Sequence, residues 1–119
     1  MEIPNNIKKL IEGQAIGLAT INYDNKKPHN IAMEINKVEG DKIIMTDNHM
    51  DKSLKNIRNN PEVSIVFWND EVGFRIDGTA SYDSNDKWFK FVKDLKENIG
   101  YSPKGALIIK VNEIKGLAG

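Results

Sequence analysis

The sequence predicts a mainly β fold: a small antiparallel β-barrel carrying a few short helices. Three observations predict it. Six short runs read as strands, and most are separated by polar, glycine- or asparagine-bearing turns of hairpin length. Residues 73–82 alternate strictly, with Phe74, Ile76, Gly78, Ala80 and Tyr82 on one face and Arg75, Asp77, Thr79 and Ser81 on the other. The small residues at 78 and 80 suit close packing or a sharp barrel bend.

Taken in order, Ile7, Leu10 and Ile11 fall at helical spacing after Pro4 and the cap candidates Asn5 and Asn6, and Gly13 follows. This predicts a short N-terminal helix. Residues 15–23 are short of charge and partly β-branched, which predicts a buried strand. Asp24-Asn25-Lys26-Lys27 is a turn. Over residues 28–36, Ile31, Met33 and Ile35 alternate with Asn30, Ala32 and Glu34, a half-buried strand. Glu39-Gly40-Asp41 turns the chain into a third strand over residues 42–46. A short helix starts near Lys52, keeps Leu54 and Ile57 on one face, and stops at Asn59-Asn60-Pro61. Residues 63–68 are nearly all apolar and predict a central strand. After the strand 73–82, Ser84 is the expected cap of a helix whose stripe is Trp88, Phe91, Val92, Leu95 and Ile99, ended by Gly100. Residues 106–111 form the last strand, and the tail to Gly119 carries no clear signal.

Length and charge narrow the function. A chain of 119 residues fits one domain, residues 1–119, around one core. Seventeen basic and seventeen acidic residues cancel, which argues against a nucleic-acid binder held by a basic excess. With no cysteine, thiol chemistry and disulfides are excluded. The two histidines, His29 and His49, lack metal-site spacing. No apolar run reaches the roughly 18 residues of a membrane span, and no signal-peptide core opens the chain, so a soluble cytoplasmic protein with no membrane partner is expected.

The most informative stretch is residues 47–61. It reads as a strand exit, a polar loop and the first turn of the helix carrying Lys52 and Ser53. A helix start offers free N–H donors and partial positive charge. Lys52 adds a full charge and Ser53 a hydroxyl, so the expected ligand is a phosphate monoester. No glycine-rich cradle precedes it, which excludes a P-loop or a dinucleotide fold. The competing reading is a surface helix capped by Asp51 or Ser53, with Lys52 solvated.

Several of these residues together resemble a known family. They are Gly17-Leu18-Ala19-Thr20, Pro28-His29, Asp51-Lys52-Ser53 with Asn56 and Asn60-Pro61, the apolar run 63–68, Gly73-Phe74-Arg75-Ile76-Asp77-Gly78-Thr79-Ala80, and Gly105-Ala106-Leu107-Ile108-Ile109. In this order and spacing the chain resembles the flavin-binding split-barrel proteins related to pyridoxamine phosphate oxidase, and among them the short single-domain FMN-binding proteins. The resemblance covers essentially the whole chain. It implies a split barrel, a homodimer, and two FMN sites between subunits. It favours the phosphate reading of Lys52 and Ser53. It places the ring and ribityl chain along Ala32, Met33 and Glu34 in the second strand and Thr46, Asp47 and Asn48 after the third. Short members of the family often carry polar side chains in the second strand. Ala32 and Met33 depart from that, so contact there is expected through the backbone.

The implied activity is flavin redox chemistry, as an oxidoreductase, a flavin reductase or an electron carrier, on a substrate the sequence does not name. F420 or haem on the same fold is the nearest rival; a cofactor-free barrel binding nucleic acid or protein is a rival from another class. Pyridoxamine phosphate oxidase activity itself is not expected, because residues 112–119 hold neither the arginine nor the histidine that enzyme uses near its C-terminus. No catalytic side chain is assigned. His49 reads either as an exposed loop residue or as a neighbour of the flavin. His29 reads as structural or as a secondary phosphate contact, and Arg75 as a surface partner of Asp77 or a phosphate aid. Trp68 and Trp88 read as interface or packing residues, and Lys87, Lys90, Lys93, Asp94, Lys96 and Glu97 as a solvated helix face.

Overall fold

In the computed structural model, which describes residues 1–117, the chain order is α1 (Asn5–Ile11), β1 (Ala15–Ile21), β2 (Pro28–Glu39), β3 (Lys42–Asp47), α2 (Lys52–Asn59), β4 (Glu62–Trp68), β5 (Gly73–Asp83), α3 (Lys87–Lys93), a 3₁₀ turn (Lys96–Asn98) and β6 (Gly105–Gly116). The described strands close into one antiparallel barrel in the order β1-β2-β3-β6-β5-β4. β1 and β4 pair through Gly17–Val66 and Leu18–Ile65, which seals the ring. A closed ladder leaves no sheet edge along these pairings. The mainly β split-barrel expectation therefore holds.

Inward alternation builds the core. Leu18, Ile35, Ile43, Met45, Ile65, Ile76, Leu107 and Ile109 are fully buried in one interior cluster, to which α1 adds Ile7 and Ile11 and α2 adds Ile57. Gly78 fits this wall for a steric reason: a Cβ there would lie 2.6 Å from both Ile109 Cγ2 and the Lys110 carbonyl oxygen. The ladder between β5 and β6 also shifts register at Asp77–Gly78, the bend that the small residues suggested. A second bulge lies between Ile35 and Lys37 in β2.

The outer face of β3 and β6 is covered by α3. Val92 packs with Ile44, Ala106 and Ile108, and Trp88, Phe89, Phe91 and Leu95 close over them.

Four local expectations are corrected. Pro4, not Asn5 or Asn6, holds the N-cap position of α1. Asp83, not Ser84, gathers the backbone N–H groups before and within the first turn of α3: its carboxyl accepts from Asn85, Asp86, Trp88 and Phe89 at 2.7–3.3 Å. The helix after it ends at Lys93 and does not reach Gly100. Asn98 folds back to donate to the Val92 carbonyl at 2.6 Å, meeting a helix-end acceptor, while Ile99 stands 78% exposed. β4 alternates buried and open residues and pairs with both β1 and β5, as the central-strand expectation has it. Finally, the last strand runs to Gly116, its far end paired with the start of β5.

Candidate functional site

A cleft of about 530 Å³ lies between the first half of β2, the loop 48–51 and the start of α2. That size lies within the usual range for small-ligand sites. Each wall has a local cause. From Pro28 to Glu34 the outer face of β2 is open, because β3 pairs with β2 only from Ile35 onward. The chain then leaves β3 at Asp47 and starts α2 at Lys52, with Asp51 in the N-cap position. No side chain among the described residues caps α2. Its first-turn N–H groups thus remain available as donors beside the cleft.

Seven of the eight residues expected to hold a cofactor line this cleft: Ala32, Met33, Glu34, Thr46, Asn48, Lys52 and Ser53. Asp47 does not. It is fully buried, and its carboxyl accepts from the Met50 N–H at 2.7 Å and from the Tyr82 hydroxyl. It stands behind the cleft wall, where it holds the loop rather than facing a ligand. Burial together with the acidic partner pushes the Tyr82 hydroxyl pKa well above its ordinary value, so Tyr82 is a firm donor.

At the α2 end of the cleft, Ser53 is buried and Lys52 is half-open. The Lys52 ammonium lies 3.1 Å from Asp24 Oδ2 in the turn between β1 and β2, and its hydrogen bond holds the Asp24 carboxyl below the ordinary value. That turn is fastened to α2 by Asn56, which is fully buried. Asn56 donates to Thr20 Oγ1 and Asn22 Oδ1 at 3.0 and 3.2 Å and accepts from the Tyr23 N–H at 2.9 Å. Asn56 therefore sets where the Lys52 and Asp24 pair stands.

The opposite end is polar and neutral. Thr46 Oγ1 donates to Asn36 Oδ1 at 2.8 Å and accepts from Asn98 Nδ2 at 3.0 Å. Asn36 and Asn98 both line the cleft and escaped the sequence reading. Asn36 sits at the β2 bulge, which alternation does not register. Asn98 was masked by the expectation of a continuous helix. His29 and His49 also line the cleft, and His49 meets Tyr101 edge-on at 6.3 Å between ring centres. One polar atom in the wall, Asn48 Oδ1, is buried without a hydrogen-bond partner among the described residues.

Beside the cleft, Ala32 continues into an apolar face formed with Ala15, Gly17, Ile31, Val66 and Trp68, and Trp68 is 67% exposed. Arg75 pairs with Asp77 at 3.2 Å on β5 and does not line the cleft.

Comparison with known proteins fits this picture. The chain is 30% identical to an uncharacterised protein of Methanocaldococcus jannaschii, over 98% of this chain and 82% of that one. Its fold matches HupZ of Group A Streptococcus with a TM-score of 0.82, at 27% identity, covering 97% of this chain and 94% of that one. An FMN-binding protein of Syntrophomonas wolfei shares the fold at 14% identity and a TM-score of 0.72, over 96% and 83% of the two chains. An F420 reductase and the haem storage protein HutZ of Vibrio cholerae share it too, at TM-scores of 0.73 and 0.70 and identities of 16% and 17%. The family model of pyridoxamine 5'-phosphate oxidase matches residues 3–117, so the chain belongs to the pyridoxamine 5'-phosphate oxidase family of split barrels.

Proposed function

We propose that this protein binds FMN in the cleft and serves flavin redox chemistry, as an oxidoreductase or an electron carrier. The observation that carries the reading is the uncapped start of α2 with Lys52 and Ser53, facing a cleft whose other end is neutral and hydrogen-bonding. An anion-binding end and a polar, uncharged end match a phosphorylated ligand with a planar heterocycle. The unpartnered Asn48 Oδ1 fits such a ligand as well, since a buried acceptor without a donor is costly.

In this reading Lys52, Ser53 and the first N–H groups of α2 hold the phosphate. Ala32, Met33 and Glu34 offer strand backbone along the ligand, and Thr46, Asn36, Asn48 and Asn98 offer neutral polar groups. FMN, when bound, supplies one- and two-electron transfer. The side chains bind, orient and keep water from one face; none is assigned a proton-transfer role. Two copies meet through the apolar face around Trp68, which continues into the cleft at Ala32, so that dimerisation shields the ligand.

The test is a visible spectrum of the purified protein followed by FMN titration. The Lys52→Ala variant should bind FMN more weakly by roughly 1.5–3 kcal/mol, the scale of a charge-assisted hydrogen bond, while riboflavin affinity stays level. Equal FMN affinity in the variant would refute the phosphate assignment. His29 and His49 in the cleft favour haem as the second reading, and a Soret band in place of flavin absorbance would establish it. Light scattering should give about twice the 13.4 kDa chain mass; a monomer that binds FMN tightly would rule out the shared site.

A further inference from the structure

The loop 48–51 forms one wall of the cleft, yet it is not a comfortable piece of chain. It leaves Asn48 Oδ1 buried and unpartnered, and it delivers the chain to α2 without a side-chain cap. Left to itself, such a segment would relax toward conformations that meet these groups with water or with its own side chains. Something outside the loop must impose its shape.

The contacts that do so converge on Met50. Its N–H donates to the buried Asp47 carboxyl at 2.7 Å, and its carbonyl accepts from the Lys104 ammonium at 3.0 Å. Its side chain is buried in the barrel core. Asp47 is in turn held by the Tyr82 hydroxyl from the end of β5, and its own carbonyl accepts from the Lys104 backbone N–H at 2.8 Å. Tyr82 lies against Gly105, where any Cβ would run into its ring. Asp47 just before the loop and Lys104 far along the chain thus grip both polar groups of one loop residue. A charged anchor buried for this purpose is expensive unless its partners are in place, which couples the parts.

We propose that Asp47, Tyr82 and Lys104 are positioning residues: they clamp Met50 so that the loop 48–51 presents Asn48 and the α2 start to the ligand. The ligand assignment rests on the flavin reading above; the clamp does not. A clamped loop binds more tightly because its ordering cost is met before the ligand arrives.

Hydrogen exchange of the full chain without ligand tests the clamp directly. In Tyr82→Phe and in Lys104→Met, the hydrogen-bonded amides of Met50 and Lys55 should exchange at least about tenfold faster, while those of β3 at Ile43, Ile44 and Met45 keep their protection. Lys104→Arg, which keeps a cationic donor, should restore most of the protection. In the same variants FMN should bind about fivefold more weakly and riboflavin less affected, because the phosphate end is what the clamp presents. Unchanged exchange at Met50 and Lys55 in folded variants would overturn the proposal. So would acceleration spread evenly over the barrel, since that marks a general loss of stability. If the wild-type chain binds no FMN, the flavin reading falls while the exchange data still decide the clamp.

Discussion

The two ends of β2 differ in a way that separates stability from function. From Ile35 onward the strand pairs with β3, and Ile35 and Val38 are buried. From Pro28 to Glu34 it pairs only with β1, and none of its residues is buried. The first region belongs to the closed ladder with Ile43, Met45, Leu107 and Ile109; the second faces the cleft. Where the strand turns residues such as Ile35 and Val38 into the core, packing limits what they can be. Where its face opens on the cleft, side chains are free of that limit.

The sharpest way to break this division is Gly78→Ala. The new methyl would press on the Lys110 carbonyl, which is backbone and cannot swing aside, and on Ile109. The variant should lose about 3 kcal/mol of stability by urea titration, and FMN affinity of the folded fraction should not change. A loss of affinity as large as the loss of stability would show that the two regions are not separate.

Lys52→Ala is the mirror experiment. Its FMN affinity should fall as described, while its urea midpoint stays close to wild type, because the pair with Asp24 is solvent-exposed. A large fall in midpoint would place Lys52 in the structural half.

A smaller effect is expected at Asp83. Asp83→Ala should cost about 1 kcal/mol at neutral pH, the scale of a lost helix cap. Partial burial tends to raise the Asp83 pKa, but the four backbone donors outweigh it and leave the carboxyl below its ordinary value of 3.8. A carboxyl with a lowered folded pKa contributes stability above its unfolded pKa and loses it as pH falls through the folded value. The gap between wild type and variant should therefore shrink below about pH 4. A gap that stays constant down to pH 2 would mean the cost is one of packing.

The smallest effect sharpens the comparison at its border. Asp24→Asn removes the carboxylate that occupies Lys52 and should tighten FMN by about two- to threefold, with no measurable change in the urea midpoint. Weaker FMN binding would show that Asp24 orients Lys52 rather than competing for it.

The barrel was legible in the sequence because one face of each strand must meet the core, and period-two patterns record that demand at residues 73–82 and 28–36. The cleft was legible where the signal is local: Lys52 and Ser53 stand at a helix start and line it. Two kinds of information were hidden. Asn98 reaches Thr46 only because α3 stops at Lys93, and the apolar stripe Trp88, Phe91, Val92, Leu95 gives no sign of that stop. Leu95 stays near Ile44, so the spacing continues after the helix has ended. Asp47 was grouped with its neighbours by proximity, although alternation argues the opposite: when Thr46 faces the cleft, the next strand residue faces inward. What buried it was the Tyr82 hydroxyl, a partner 35 residues away.

The place of β6 in the ring has a consequence for how the protein is made. It is the last strand in the chain, yet it sits between β3 and β5 and pairs Ile43 with Ile109 and Ala80 with Ile109 across opposite sides. Until residues 105–116 leave the ribosome, β3 and β5 have no shared neighbour, and the ring stays a ribbon with two bare edges. Folding must then wait for contacts spanning about sixty residues, which makes it slow for a chain of this size and exposes it to sticking during that wait. The step that closes the barrel is also the step that brings Lys104 to Met50 and Tyr82 to Asp47. The clamped wall of the cleft therefore takes shape only once residues 105–116 have joined the ring.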